Sequence, residues 1–63
     1  MGKFELYKDP HGDFRWQLKA TDGRTIAVSA EAHKTMADVQ QTIAIVKREA
    51  GASDIDDQTA TTF

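Results

Sequence analysis

The chain of 63 residues contains no cysteine, a single proline and four glycines. Without cysteine it can form neither a disulfide nor a thiolate metal site, two devices that stabilise many small domains. A core of this size supplies only about 3–5 kcal/mol of net stability, so we expect association between copies to add to it. The absence of cysteine also fits a reducing compartment.

A strong charge of one sign and a long apolar run are missing as well. The formal net charge is −2, with acidic residues gathered near the C-terminus at Asp54, Asp56 and Asp57. This balance gives no overall attraction to nucleic acid or to anionic membranes. No apolar stretch approaches the roughly 20 residues of a membrane span, and the first four residues contain no apolar signal core. We expect a soluble, cytoplasmic protein with no membrane partner.

The chain does contain an alternation of apolar and polar residues, which is typical of half-buried strands. It predicts strands near 3–8, 14–20 and 24–29. Two three-residue loops, Pro10-His11-Gly12 and Thr21-Asp22-Gly23, join them, each ending on a glycine that takes positive φ at low cost. These loops place Leu18 opposite Phe4 in one pair and opposite Ile26 in the other. One apolar face is therefore predicted, consisting of Phe4, Leu6, Phe14, Trp16, Leu18, Ile26 and Val28.

A helix near 36–50 is predicted after a short link. Thr35 and Asp38 form a capping pair at its start, and Gly51 is predicted to end it. Ile45 projects from the side opposite the apolar stripe, either as a lone exposed residue or as part of an interface. The stripe itself is spaced to cover the apolar face of the sheet, and it consists of Met36, Val39, Ile43, Val46 and Ala50.

The segment after the helix leaves two interpretations open. Ile55 stands alone between acidic residues, so residues 53–57 form either a frayed end or a short fourth strand. Such a strand would add to a sheet edge of its own chain or of a neighbour. No linker or repeat divides the sequence. The predicted fold class is α+β, a single domain over residues 1–63 in which a three-stranded antiparallel sheet packs on one helix.

Five blocks of residues follow one another along the chain: GKFELYKD at 2–9, FRWQLKA at 14–20, Asp22-Gly23, Ile26-Ala27 with Ser29, and IAIVK at 43–47. Together they resemble the YegP-like family of small uncharacterised prokaryotic proteins, over residues 2–55. The resemblance implies a β3-α-β unit that occurs in tandem or as a single copy. Single copies are then expected to pair as homodimers that exchange their C-terminal strands. We predict a dimer interface that includes Ile45, Gly51, Ala52 and Ile55.

The sequence departs from the family pattern at three positions. His33 stands where the family has a tyrosine, Asp22 replaces a common asparagine, and Ile45 replaces a polar residue. The link before the helix is also one residue longer. These differences affect the local conformation of the link and leave the fold unchanged. The family has no established catalytic residues to transfer.

Residues that carry chemistry are sparse. His11 and His33 are the only histidines, and neither has a second ligand at metal-binding spacing. Ser29 lacks a nucleophile elbow, the carboxylates stand where solvation is favoured, and turn geometry accounts for the loop glycines. Trp16 alternates with apolar neighbours and is predicted to lie in the core. We therefore predict no enzyme activity, no metal site and no cofactor.

The polar outer face of the sheet is the alternative site. Side chains of this kind can enter a DNA groove or stack on a base. Glu5 and the acidic C-terminal segment dilute the positive charge, which disfavours this interpretation. The predicted function is therefore a non-enzymatic, homodimeric structural or protein-interaction module. Nucleic-acid binding is the alternative, through Lys3, Tyr7, Arg15, Gln17 and Lys19.

Overall fold

The computed structural model describes residues 1–60 and confirms the α+β class. Its elements follow the order β1 (Lys3–Lys8), β2 (Phe14–Lys19), β3 (Thr25–Val28) and α1 (Met36–Ala52). The strands form one antiparallel sheet with β2 in the centre, which leaves β1 and β3 as its edges. The helix packs mainly against β2. The architecture is thus a sheet layer covered on one side by a helix.

The first hairpin has the predicted loop and register. The Asp9 N–H donates to the Asp13 carbonyl at 2.9 Å, which closes the loop Pro10-His11-Gly12. Gly12 takes a φ of +83°, a conformation that only glycine adopts at low cost. Phe4 pairs with Leu18, and Leu6 pairs with Trp16, as the alternation predicts.

The loop of the second hairpin also has the predicted form. The Ala20 N–H donates to the Arg24 carbonyl at 2.8 Å, and the Gly23 N–H donates to the Ala20 carbonyl at 3.0 Å. Gly23 takes a φ of +91°. The loop therefore consists of the three residues Thr21-Asp22-Gly23.

The register beyond that loop differs from the prediction. We expected Leu18 opposite Ile26, but a β-bulge at Leu18 shifts the pairing so that Leu18 faces Ala27. A shift of one residue reverses the face on which each following side chain lies. Ile26 and Val28 are accordingly 57% and 60% exposed, so their assignment to the core was wrong. Ser29, at 6% exposure, is buried instead.

Hydrogen bonds between Trp16 and Ser29 give the physical reason for this register. The Ser29 N–H donates to the Trp16 carbonyl at 2.9 Å, and the Ser29 Oγ accepts from the Trp16 N–H at 3.3 Å. Trp16 itself is 5% exposed, and its ring meets the edge of Phe4 at 5.4 Å between centroids. The serine hydroxyl satisfies the buried N–H of Trp16, which a valine side chain cannot do, and the serine N–H satisfies the Trp16 carbonyl.

The link before the helix is fastened to β2. The His33 N–H donates to the Phe14 carbonyl at 2.8 Å, and the Phe14 N–H donates to the His33 carbonyl at 2.7 Å. Thr35 then caps the helix, since its Oγ1 accepts from the Asp38 N–H at 3.1 Å as predicted. The helix therefore starts from a link that is held to the sheet.

The helix ends later than predicted. It continues through Gly51 to Ala52, with Ser53 as its C-cap, and the Ser53 Oγ donates to the Glu49 carbonyl at 2.6 Å. A glycine ends a helix when it takes positive φ, which Gly51 does not. The prediction that Gly51 stops the helix was wrong, because a hydroxyl two residues later satisfies a terminal carbonyl.

The core is small. Val39 is fully buried, while Ile43 and Val46 are half-buried and Met36 is 43% exposed. Ala50, the last residue of the predicted stripe, is exposed. Of the apolar side chains in the described part of the chain, Trp16 and Val39 alone are buried.

Residues 53–58 follow the helix without regular structure, so no strand forms at 53–57 in the single chain. Ile55 is 96% exposed. The radius of gyration is 14.1 Å, whereas a compact domain of this length has a radius of about 11 Å. The single chain is thus more extended than a self-contained domain.

Alanine substitutions at two glycines test where the helix ends. Gly51→Ala is expected to raise the free energy of unfolding by about 0.5–1 kcal/mol, because Gly51 is helical and a Cβ there meets no atom within 4 Å. Gly23→Ala is expected to lower it by about 1–2 kcal/mol, because alanine is strained at positive φ. Urea unfolding at one protein concentration measures both. Loss of stability in Gly51→Ala would contradict the helical assignment.

Candidate interaction site

An open cleft separates β1 from the helix. Its volume is about 640 Å³, and we name it the β1 cleft. The floor is apolar and includes Phe4, Leu18 and Ile43, while Lys3 and Lys47 supply positive charge at the walls. The complete lining consists of Met1, Gly2, Lys3, Phe4, Leu6, Leu18, Gln40, Ile43 and Lys47.

The strand beside this cleft is a sheet edge. β1 pairs with β2 on one side only, so the main-chain groups on its other side have no strand partner among residues 1–60. Leu6 of this strand is 39% exposed. An edge strand beside an apolar cleft is the arrangement to which an extended peptide adds by strand pairing.

The predicted dimer-interface residues do not come together within one chain. Gly51 and Ala52 lie in the last turn of the helix, and Ile55 lies three residues beyond it. Ile45 is 43% exposed on the helix but does not line the β1 cleft. Because Ile55 is 96% exposed, it makes almost no contact with its own chain.

The five residues predicted to form the outer face do lie side by side on β1 and β2. Lys3 pairs with Lys19, and Tyr7 pairs with Arg15 in the register of the two strands. Gln17 pairs with Glu5. Val28 joins this face through its pairing with Gln17, which the predicted register did not place there.

Acidic neighbours neutralise most of this face. The Arg15 Nε donates to the Asp9 Oδ2 at 2.9 Å, and the Lys3 Nζ lies 3.4 Å from the Glu5 Oε2. The Gln17 Nε2 donates to the Glu5 Oε1 at 2.9 Å, and this bond is the main cause of the lowered pKa of Glu5. Phosphate recognition requires a clear positive footprint, which paired cations do not supply.

Asp9 organises the end of this face, and the prediction that its carboxylate is solvated was wrong, because its side chain is only 7% exposed. Its carboxylate accepts from the guanidinium of Arg15 and from the main-chain N–H groups of His11 and Asp13, at 2.9 and 3.0 Å. The Arg15 bond is the main cause of a lowered Asp9 pKa. Burial, the next largest effect, raises the pKa, and the N–H groups of Asp13 and His11 lower it further. An aspartate immediately before a Pro-x-Gly loop is the signal that was available, because aspartate side chains accept main-chain N–H bonds in turns.

Residues 1–60 contain no cluster of metal-binding side chains and no helix able to cross a membrane. Within residues 1–60 no three side chains of the His, Asp and Glu types are grouped to hold an ion. His11 is exposed in the first loop, and His33 lies in the link, where its main chain bridges to Phe14. Helix α1 in the described part of the chain is not long and apolar enough to cross a bilayer.

Comparisons with known proteins now identify the family. The family model described as "Domain of unknown function (DUF1508)" matches residues 9–57. The chain belongs to this family. A UPF0339 protein of Agrobacterium fabrum is 40% identical over 62 residues, which cover 97% of this chain and 98% of that protein. A UPF0339 protein of Treponema denticola is 45% identical over 49 residues, which cover 78% and 83% of the two chains.

Solved structures share the fold of this DUF1508 protein. A solution NMR structure of a protein from Haloferax volcanii superposes with a TM-score of 0.81 at 30% identity, covering 89% of this chain and 93% of that one. A solution NMR structure of an Agrobacterium tumefaciens protein gives 0.75 at 35% identity and covers 100% of both chains. The resemblance to a family of small uncharacterised prokaryotic proteins is confirmed, and the family description states no activity.

The lowered pKa of Asp9 predicts an acid-sensitive contribution to stability. A carboxylate whose pKa is lower in the folded state stabilises the fold above its unfolded value, and that contribution disappears as the pH falls through the folded value. Asp9→Asn is therefore expected to be less stable than the parent at about pH 7 and to approach it at about pH 2. Urea unfolding across this range measures the difference. A constant gap at every pH would contradict the ion pair.

The pairing of the outer-face cations predicts weak nucleic-acid binding. Fluorescence anisotropy with single-stranded and double-stranded DNA at low salt is expected to show no saturable binding. Saturable binding that falls steeply with salt and disappears in the double variant Arg15→Glu, Lys19→Glu would contradict this prediction and support the alternative function.

Proposed function

We propose that this DUF1508 protein is a homodimeric, non-enzymatic interaction module in which the segment around Ile55 of each copy lies in the β1 cleft of the other. One observation carries the proposal. Ile55 is 96% exposed in a segment without secondary structure, while the same molecule contains an apolar cleft beside an unpaired strand edge. Strand addition at that edge would bury the isoleucine and pair the main chain of both segments.

Charge complementarity supports the choice of this cleft. Asp54, Asp56 and Asp57 surround Ile55, and Lys47 lines the β1 cleft. Lys3 lines it as well but is already paired with Glu5 at 3.4 Å, so Lys47 supplies the charge that is available to a partner. An acidic segment with one apolar residue therefore matches a cleft with an apolar floor and a basic side chain at its wall.

Chain length argues for exchange between copies. Ile55 lies three residues beyond the last helical residue, Ala52, which is at most about 11 Å when the chain is fully extended. Ile43 lies nine residues before that end, which is about 13.5 Å along the helix axis. Ile55 could cover Ile43 of its own chain only if residues 53–55 turned straight back along the helix, and its 96% exposure shows that the segment does not do so. A second copy meets no such limit.

The small core supports association for an energetic reason. Trp16 and Val39 are the buried apolar residues in the described part of the chain, and no disulfide adds to them. Covering Leu6, Ile43 and Ile55 in a dimer would add apolar burial at about 25 cal/mol per Å².

The lack of cysteine is further support for a cytoplasmic location.

The non-enzymatic part of the proposal rests on where reactive groups lie. Ser29 Oγ accepts a main-chain bond inside the sheet, and Asp9 is held by Arg15. The Thr59 Oγ1 donates to the Asp57 Oδ1 at 2.6 Å, but both residues are exposed after the helix and outside the β1 cleft, whereas covalent catalysis needs a nucleophile and base in a site that excludes water. A module of this kind functions through its surfaces.

Substitution of Ile55 tests the proposal directly. Ile55→Ser is expected to raise the dimer Kd by roughly 10²–10⁴-fold, because each buried isoleucine contributes about 1.5–3 kcal/mol and the dimer contains two. Light scattering coupled to size-exclusion chromatography over a dilution series measures the mass. Lys47→Glu is expected to weaken the dimer by a smaller factor, and Asp54→Lys added to it is expected to restore part of the loss.

Ile45→Ser is the matched control: the sequence predicts Ile45 in the dimer interface, but the interface proposed here excludes it, because this helix isoleucine lies outside the β1 cleft. It is expected to leave the Kd of the dimer unchanged. A stable dimer in Ile55→Ser together with a monomer in Ile45→Ser would assign the interface to the outer side of the helix and refute the exchange. A parent protein that stays monomeric at every concentration would refute the dimer itself.

A further inference from the structure

A small apolar pocket continues the β1 cleft toward the start of the helix. Its volume is about 260 Å³, and Leu6, Lys8, Phe14 and Met36 line it among others. We name it the Met36 pocket. Leu6 also lines the β1 cleft, so the two apolar spaces meet beside the same edge strand. The apolar surface along β1 therefore extends beyond the place that Ile55 is proposed to occupy.

The side chains of this pocket are incompletely covered in the single chain. Leu6 is 39% exposed, and Met36 is 43% exposed although it is the first residue of the helix. The Lys8 Nζ lies 5.2 Å from the centre of the Phe14 ring, so its charge is attracted to that ring. The first turn of the helix thus borders an apolar depression with an aromatic wall.

Size and composition indicate what fills this pocket. Small-molecule sites typically have volumes of about 300–1,000 Å³, and a smaller pocket favours one large side chain over a whole ligand. The thioether of Met36 and the ring of Phe14 both make favourable contacts with aromatic rings. An aromatic side chain is therefore the occupant that this lining favours.

The C-terminal sequence contains such a residue. Two large apolar side chains follow the helix, Ile55 and Phe63, and the residues between them are polar or small. Two apolar sites likewise lie next to each other along β1. The number and the apolar character of the side chains therefore match those of the sites.

The length of the segment is sufficient for both sites. Phe63 lies beyond the described residues 1–60, and it is eight residues from Ile55, a maximum of about 28 Å. The two sites are closer than this. Met36 of one site and Ile43 of the other are seven residues apart on one helix, which is about 10.5 Å along its axis.

We propose that Phe63 of the partner copy occupies the Met36 pocket when Ile55 of that copy occupies the β1 cleft. The phenyl ring packs against the Met36 thioether and the Phe14 ring, and it covers the exposed side of Leu6. The inference rests on the proposed function, because it assigns a second anchor to the same exchanged segment. The partner's Phe63 is chosen because the partner's Ile55 already brings that segment to β1.

Contacts between copies test this assignment. A refolded mixture combines unlabelled chains with chains that carry carbon-13 in their methionine methyl groups. We expect an intermolecular NOE from the Met36 methyl group to the Phe63 ring, together with an upfield ring-current shift of that methyl resonance. Phe63→Leu is expected to remove the upfield shift.

A double-mutant cycle measures the contact in the dimer. Phe63→Ala is expected to raise the dimer Kd roughly 10–10²-fold, because the dimer contains two such contacts. Met36→Ala is expected to raise it by a similar factor, and the double variant is expected to be little weaker than either single variant. Thr62→Ala is the control at the neighbouring polar position and is expected to change the Kd by less than about twofold.

The outcomes separate this inference from the proposed function. Intermolecular NOEs from Ile55 to Ile43 without any from Phe63 to Met36 would overturn the Phe63 assignment and leave the exchange intact. An unchanged Kd in Phe63→Ala, or additive losses in the double variant, would overturn it in the same way. An NOE between Phe63 and Met36 confined to one chain would overturn the assignment to the partner. A parent protein that stays monomeric would overturn both.

Discussion

The pairing of Trp16 with Ser29 is the constraint on which the rest of the structure depends. Trp16 lies in the central strand, and its two main-chain groups bond to the N–H and the hydroxyl of Ser29. This pairing fixes the register of β3 on the far side of the bulge and leaves Ile26 and Val28 exposed. The Trp16 ring, with Phe4 against it, then forms the part of the sheet that the helix covers.

A helix centred on β2 leaves space on both of its sides. Toward β1 the space is the basic, apolar cleft that we assign to the partner's C-terminal segment. Toward the link it is a second cleft of about 400 Å³, lined by Trp16, Thr42 and Val46 among others. One sheet therefore borders two clefts with different linings.

The parts of the fold that depend on neighbouring residues could be predicted from the sequence, and the parts that depend on distant contacts could not. The first hairpin followed from alternation and loop length, because Gly12 and the pairing of Leu6 with Trp16 depend only on neighbouring residues. The register of β3 could not be predicted in this way. A strict two-residue period cannot show that a serine hydroxyl will bond to a distant main-chain N–H. The five outer-face residues lie on adjoining strands, but the pairing of Arg15 with Asp9 and of Lys3 with Glu5 depends on geometry that the strand pattern lacks. The two clefts depend on where the helix lies across the sheet, which no single segment encodes.

Exchange of the C-terminal segment is the central claim, and isotope-filtered NOE spectroscopy tests it most directly. A refolded mixture of carbon-13-labelled and unlabelled chains reports only contacts between copies. Intermolecular NOEs from the Ile55 methyl groups to Leu6 and Ile43 are expected. The same contacts confined to one chain, or intermolecular NOEs that involve Ile45 and omit Ile55, would contradict it.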